Sequence, residues 1–326
     1  MSWAILAIAV SLVVSYVLTP VAGKLAWKFG AIAHPGDRHV HSTPTPRFGG
    51  VAIYAGFIIA VLVVLLVNKD VSHREQIIGV LLGGTLVAIV GVLDDKFDLS
   101  PILQVLGIVA GTVVLIHYGI KIRHITSPFD APKLLWLNAL VIPITIIWVF
   151  GVTKTIDLID GMDGLASGVC SIVATTLLIM GILAKVKEPW LAGSFQNVAI
   201  LAGALLGASL GFLRHNYPPA KIFMGTVGSQ FMGFVLASLS IIGAFKVATI
   251  VAFAVPLFAL GVPIFDAAFV VVRRFIERRP VHLADKSHMH HRLLDRGLSQ
   301  GQVVLIIYGL SMALSATALT LYWVSR

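Results

Sequence analysis

Ten apolar stretches, each near the length needed to cross a bilayer, govern what this chain can become: about 3–20, 50–67, 76–93, 101–118, 134–152, 164–184, 197–213, 227–243, 247–272 and 302–323. A spanning helix takes roughly 20 mostly apolar residues, and inside hydrocarbon every backbone N–H and C=O must find a partner within the protein. Helices meet that demand segment by segment. The connections are short, and polar or marked by Gly and Pro. The pattern predicts an all-α, polytopic integral membrane protein with about ten transmembrane helices and one membrane-embedded domain over residues 1–326. The run at 3–18 lacks a basic leader and a small-residue cleavage site, so it reads as the first span and not as a secretion signal.

With 58% hydrophobic and 12% charged residues and a mean hydropathy of +0.95, the chain lies outside the range of soluble domains. Its formal charge of +9 is spread over every connection, so no single basic face is available for nucleic acid. Anionic headgroups and phosphates are the expected partners. Cys170, the single cysteine, lies in an apolar run; no intramolecular disulfide is possible, and a packing role follows.

Because spans alternate in direction, the connections 21–49, 94–100, 153–163, 214–226 and 273–301 share one side, and most of the 24 Lys and Arg fall there. That bias places the side in the cytoplasm. Most of the 15 Asp and Glu lie on the same side. Solvated decoration gives no reason to gather carboxylates on one face of a membrane.

The acids cluster at predicted span ends. Asp94 and Asp95 close the third span, with Asp98 just beyond and Pro101 opening the next. Taken alone, the pair is also compatible with solvated capping. The segment Asp157-Leu-Ile-Asp160-Gly-Met-Asp163-Gly164 is harder to explain as an ordinary turn. At a spacing of three, its acids would share one helix face. Each Asp held within the bilayer would cost roughly 2.5 to 3.5 kcal/mol, so a compensating cation or a water-filled cavity is required. Carboxylate oxygens without thiolates suit a hard ion such as Mg²⁺, which normally takes one or two carboxylates together with substrate phosphates. A phosphate ester or diphosphate is the implied substrate. Asp266 is a further intramembrane acid, for which pairing with Arg273 or Arg274 and a functional role are both open.

Basic and glycine-containing loops accompany the acids. Pro46-Arg47-Phe-Gly49-Gly50 opens the second span, where helix amides, glycine and a guanidinium fork suit an anion. A loop at 273–301 carries Arg273, Arg274, Arg278 and Arg279 and then His288, His290, His291 and Arg292. Zinc would need three or four ligands in tetrahedral geometry and no cysteine is near, so donors to a nucleotide diphosphate fit better. Between the seventh and eighth spans, Asn216, Lys221, Phe223, Gly225, Thr226, Gly228 and Ser229 could contact a nucleoside.

Together these motifs resemble the polyprenyl-phosphate N-acetylhexosamine-1-phosphate transferase family, from residue 34 to about residue 310. The matching elements, in chain order, are Pro-Arg-x-Gly-Gly at 46–50, the pair Asp94 and Asp95, Asp-Gly-x-Asp-Gly-Leu at 160–165, Asn216 ahead of Pro-Ala-Lys, and His-x-His-His-Arg at 288–292. The resemblance implies transfer of a sugar 1-phosphate from a UDP-N-acetylhexosamine to undecaprenyl phosphate, with UMP released and Mg²⁺ required, Mn²⁺ being a substitute. The histidine and Pro-Arg forms are similar to the branch using UDP-N-acetylglucosamine; the branch transferring phospho-N-acetylmuramoyl-pentapeptide ranks second. It further implies a multi-pass protein of the bacterial plasma (inner) membrane with a cytoplasmic active site, in contact with membrane lipids and not nucleic acid. Monomer and homodimer are both open.

On this resemblance, catalysis falls to Asp94, Asp95 and Asp160, with Asp94 or Asp95 deprotonating or orienting the lipid phosphate. Substrate contacts fall to Arg47, Lys154, Asp163, Asn216, His288, His290, His291 and Arg292, and the metal to Asp157, Thr226 and Asp95. Single-step transfer and a covalent phospho-sugar enzyme are both open. The chain departs from the family pattern where relatives commonly have Asn at the positions of Lys154 and Asp157 and Asp at that of Thr226. The expectation is that the anionic metal ligand has moved to Asp157, leaving Thr226 a neutral one. Intramembrane acids also mark cation transporters, but a transporter would set them near the midplane.

Overall fold

The computed structural model describes residues 2–33, 44–126, 134–184, 189–244 and 293–324, with four positions between 261 and 269. The chain forms helices α1 (Ser2–Phe29), α2 (Gly49–Val67), α3 (Arg74–Phe97), α4 (Pro101–His117), α5 (Val141–Ile159), α6 (Leu165–Leu183), α7 (Pro189–Asn216), α8 (Gly225–Ala244) and α9 (Gln300–Val324). Two short antiparallel pairs complete it: β1 (Ile32–Ala33) with β2 (Thr45–Pro46), and β3 (His124–Thr126) with β4 (Leu134–Trp136). Among the described residues eight helices are long and apolar enough to cross a membrane, and α4, at 17 residues, is shorter. The expected all-helical polytopic class is therefore borne out. Apart from those four positions, the ninth expected span lies outside the described residues, as do Asp266 and the histidine motif with its preceding arginines.

Burial orders the bundle. In α8, 89% of the apolar window is buried, against 28% in α1 and 33% in α9, so α8 is an axis and the others form a lipid-facing rim. The outer faces carry Ile5, Val13 and Val17 on α1, Ile102 and Leu106 on α4, and Leu305 and Trp323 on α9. So large an apolar surface suits hydrocarbon and not water. Around the axis, Phe231 of α8 meets Tyr54 and Phe57 of α2 edge to face, with ring centroids 5.3 Å apart. Gly83 and Gly84 of α3 leave room for Phe234 and Phe231.

Helices in lipid gain little from apolar burial against one another, so close packing of small residues matters more. Helix α7 shows this at Gly203, Gly207 and Gly211, spaced by four and set against the backbone of α1. A Cβ at Gly203 would lie 2.9 Å from the Ala4 carbonyl oxygen, and one at Gly207 would strike Ser11 Oγ and the Ile8 carbonyl. The close approach lets Ser15 Oγ donate across the interface to the Ala208 carbonyl at 2.8 Å.

Two expectations are corrected. The fifth span does not run 134–152: residues 134–136 pair in a strand, a 3₁₀ turn covers Asn138–Leu140, and the helix runs from Val141 to Ile159. An apolar run reads the same whether it is strand or helix, and the hairpin takes its first turn. Residues 153–159 are accordingly helical and not a connection. Asp157, Asp160 and Asp163 do not share one helix face, because α5 stops at Ile159 and Gly164, at φ +73°, turns the chain into α6. That backbone angle suits a residue without a side chain.

Replacing Gly207 with Leu should overpack the α1–α7 interface and destabilise the protein by about 1–3 kcal/mol. The measurement is the aggregation temperature in detergent, beside Gly309→Leu, where a Cβ meets no described atom within 4 Å. Equal temperatures for the two variants would show that this stripe does not set the helix approach.

Candidate active site

The odd-numbered helices α1 to α7 end, and the even-numbered helices α2 to α8 begin, at one edge of the bundle. There β2 delivers Arg47 and Phe48 into α2, and the Gly49 and Gly50 amides donate to the carbonyls of Phe223 (3.0 Å) and Met224 (2.8 Å). The start of α2 is thereby fastened to the approach to α8. Every acid considered below lies at this edge, near helix ends and not at mid-span.

Asp94 and Asp95 occupy the last turn of α3, where carboxylates face the negative end of their own helix dipole. Compensation comes from neighbouring elements. Asp95 accepts the backbone N–H of Thr226 at Oδ1 (2.8 Å) and of Val227 at Oδ2 (3.1 Å). These are orphan donors in the first turn of α8, so Asp95 caps α8 from another helix. Gly225, at φ +71°, makes the approach possible, since a Cβ there would strike the Asp95 carboxylate and the Arg47 carbonyl.

Asp94 accepts Gln104 Nε2 of α4 at 2.7 Å. The other end of that amide, Gln104 Oε1, accepts Lys154 Nζ of α5 at 2.5 Å and Gln230 Nε2 of α8 at 3.1 Å. Lys154 Nζ also donates to Asp157 Oδ2 at 2.8 Å, one turn along α5. Asp157 further accepts Ser229 Oγ at 2.5 Å and Gln230 Nε2 at 3.4 Å. The Ser229 hydroxyl also lies 3.4 Å from the Thr226 carbonyl, which brings Thr226 and Asp157 to one corner. One polar chain therefore joins α3, α4, α5 and α8.

The turn after α5 is secured separately. Asp163, 3% exposed, accepts the Ala220 N–H at 2.9 Å. Asn216, equally buried, accepts the Gly164 N–H at 2.9 Å and donates to the Ile222 carbonyl at 2.9 Å. Its amide ties the two site loops together, and its reach to a substrate is correspondingly reduced. Arg47 lies at the rim, with Nη1 3.5 Å from Asp98 Oδ1, an exposed contact of little energetic weight.

Asp160 differs from its neighbours. It is half-buried at the C-terminal cap of α5, and no hydrogen bond among the described residues ends on its carboxylate. Burial, then the like charges of Asp157, Asp95 and Asp163, hold its carboxyl well above the usual carboxylate range. A nearby cation would reverse that penalty.

Among the described residues no three acidic or histidine side chains converge closely enough to hold a metal ion by themselves. Mg²⁺ does not demand such a cage, because it keeps several waters and takes substrate phosphates as ligands. The donors present are hard oxygens: the free carboxylate of Asp160, that of Asp157, and the Thr226 hydroxyl, which makes no hydrogen bond among the described residues. This set fits an ion that arrives with a diphosphate.

The structure brings Asp94, Asp95, Lys154, Asp157, Asp160, Asp163, Asn216 and Thr226 to one edge, with Arg47 at the rim. His288, His290, His291 and Arg292 lie outside the described residues. Gln104 and Gln230, and the linking role of Ser229, were missed from sequence. The available signal was a lone amide inside each of two apolar runs, which is costly in lipid unless hydrogen-bonded.

Residues 77–244, which contain the polar links running from Asp94 to Gln230 but not those at Arg47, Gly49 and Gly50, match the model of glycosyl transferase family 4. The chain is 34% identical over 317 residues to a probable undecaprenyl-phosphate N-acetylglucosaminyl 1-phosphate transferase of Bacillus subtilis (strain 168), covering 97% of this chain and 84% of that one. It is 32% identical over 313 residues to a decaprenyl-phosphate N-acetylglucosaminephosphotransferase of Mycobacterium leprae, covering 91% and 78%. A phospho-N-acetylmuramoyl-pentapeptide-transferase of Clostridium botulinum (strain Eklund 17B / Type B) is 32% identical over 248 residues, covering 72% and 71%. Both the family match over half the chain and the near full-length similarity lead to one conclusion: this protein belongs to glycosyl transferase family 4.

Proposed function

We propose that this protein transfers N-acetylglucosamine 1-phosphate from UDP-N-acetylglucosamine to undecaprenyl phosphate, releasing UMP and starting a lipid-linked cell-envelope glycan. The observation that carries the reading is the meeting of Asp94, Asp95, Asp157, Asp160 and Asp163 from distant stretches of chain at one membrane edge. Such a cluster, set where a lipid headgroup lies, suits the joining of two phosphates whose charges must be screened. The first relative named above carries the same activity in its name. The bias of Lys and Arg supports a cytoplasmic site in a bacterial plasma membrane.

In the reaction, a phosphate oxygen of the lipid attacks the β-phosphorus of the UDP-sugar. The bond from that phosphorus to the bridging oxygen breaks, and UMP leaves with the electron pair. Phosphoryl transfer of this kind depends chiefly on position and charge. Asp94, with Oδ1 held by Gln104, is left with Oδ2 to orient or deprotonate the lipid phosphate. Asp160, Asp157 and Thr226 would hold Mg²⁺, which supplies charge neutralisation at the diphosphate when bound. Asp95 keeps the start of α8 closed on α3 and so positions Thr226 and Ser229. Arg47 would meet a phosphate at the rim, and His288, His290, His291 and Arg292 would donate to the diphosphate. The burial of Asp163 and Asn216 supports a role in shaping the turn that presents Asp160.

Purified protein should release UMP from UDP-N-acetylglucosamine only with undecaprenyl phosphate present, stop on addition of EDTA, and recover with Mg²⁺ or Mn²⁺. A panel including UDP-N-acetylmuramoyl-pentapeptide separates the two branches; turnover of that substrate alone would move the protein to the second. Asp160→Asn should lower kcat by about 10²-fold, the scale of losing one preorganised electrostatic contact. Gln104→Leu should lower kcat by about tenfold, because Asp94 and Lys154 lose a shared partner. Steady-state kinetics on variants with the wild-type gel-filtration profile checks both, and unchanged kcat in Asp160→Asn would remove that residue from the site.

A further inference from the structure

We propose that Lys154 is a built-in counter-ion to Asp157 that disfavours a divalent cation in the free protein and admits it more readily together with the nucleotide diphosphate; this rests on the metal-assisted transfer proposed above. Lys154 stands on the inner face of α5, 24% exposed, and no other ammonium is hydrogen-bonded within this acid cluster among the described residues. Two of its three N–H donors are committed, one to Gln104 Oε1 and one to Asp157 Oδ2. The partner oxygens are themselves fixed. Gln104 is pinned by Asp94 and Gln230, and Asp157 by Ser229 and Gln230. The ammonium therefore has a built seat and is not a surface side chain sampling solvent.

This seat bears on any metal. Asp157 Oδ2 is the oxygen that Lys154 occupies, and Asp157 Oδ1 is taken by Ser229. A divalent ion joining Asp157 must either displace the ammonium or lie beside it as a like charge. Both weaken metal binding to the free protein. When a diphosphate is present, its negative charges screen the ammonium from the ion and supply ligands of their own. Metal and nucleotide then bind with positive coupling, each raising the affinity of the other by the same factor. Asp160, which no described donor reaches, supplies the carboxylate that remains open for the incoming ion.

The test is Mn²⁺ affinity, followed by electron paramagnetic resonance on detergent-purified protein, with and without UDP. Lys154→Met should bind Mn²⁺ about tenfold tighter than wild type in the absence of UDP, the scale expected on removing one nearby positive charge. Adding Asp157→Asn to that variant should return the affinity to the wild-type level. The enhancement of Mn²⁺ binding by UDP should shrink in Lys154→Met. Lys154→Gln, which drops the charge but keeps hydrogen-bonding capacity, should tighten Mn²⁺ binding in the same way and guards against a folding defect in the Met variant. Equal or weaker Mn²⁺ binding in both charge-removing variants would overturn the role given to Lys154 while leaving the metal reading intact. Absence of Mn²⁺ binding in wild type and every variant, even with UDP, would overturn the metal reading and this inference with it.

Discussion

A carboxylate in the last turn of α3 faces the unfavourable end of its own helix dipole, and Asp95 is held there by the first amides of α8. The same contact satisfies orphan donors of α8, so one contact offsets part of the cost of two unfavourable helix ends. The arrangement of the site follows from it. With α8 fixed against α3, Ser229 and Gln230 reach Asp157 on α5, and Gln230 reaches Gln104 on α4. Gly225 is the local requirement, because its backbone angle and missing side chain allow the carboxylate to approach.

Around that joint the membrane edge is a balance of buried charge. Asp94 is hydrogen-bonded by a side-chain amide, Asp95 by backbone amides, Asp157 by an ammonium and a hydroxyl, and Asp163 by an amide in the next loop. Asp160 is left without such a partner among the described residues. A site with one unsatisfied carboxylate beside several satisfied ones is suited to an ion that comes and goes with substrate. A permanently bound metal would favour a fuller set of carboxylate ligands.

Much of this was legible in the sequence, for physical reasons that differ by residue. Acids at span ends stand out because lipid penalises them, so Asp94, Asp95, Asp157, Asp160 and Asp163 were identifiable before their partners were. Asn216 and Thr226 were found through the resemblance of short motifs. What a linear pattern does not show is which oxygen is already taken: Asp95 serves as a cap and Asn216 as a loop tie. Gln104 and Gln230 were overlooked because a single amide scarcely alters the hydropathy of an apolar run. The end of α5 was set too early because polar Lys154 and Asp157 read as part of a connection at 153–163, whereas the helix carries both before it stops at Ile159. The start of α5 was misplaced because residues 134–136 form a hairpin strand whose composition is equally apolar.

The account rests on phosphorus moving from nucleotide to lipid at this cluster, and positional labelling addresses that directly. With UDP-N-acetylglucosamine carrying ³²P at the β-position, incubated with the protein, Mg²⁺ and undecaprenyl phosphate, the label should pass into the organic-extractable lipid. Label at the α-position should stay in water as UMP. If β-label remains in the aqueous phase while the intact protein is present with both substrates, the acids at this membrane edge do not carry out the proposed transfer.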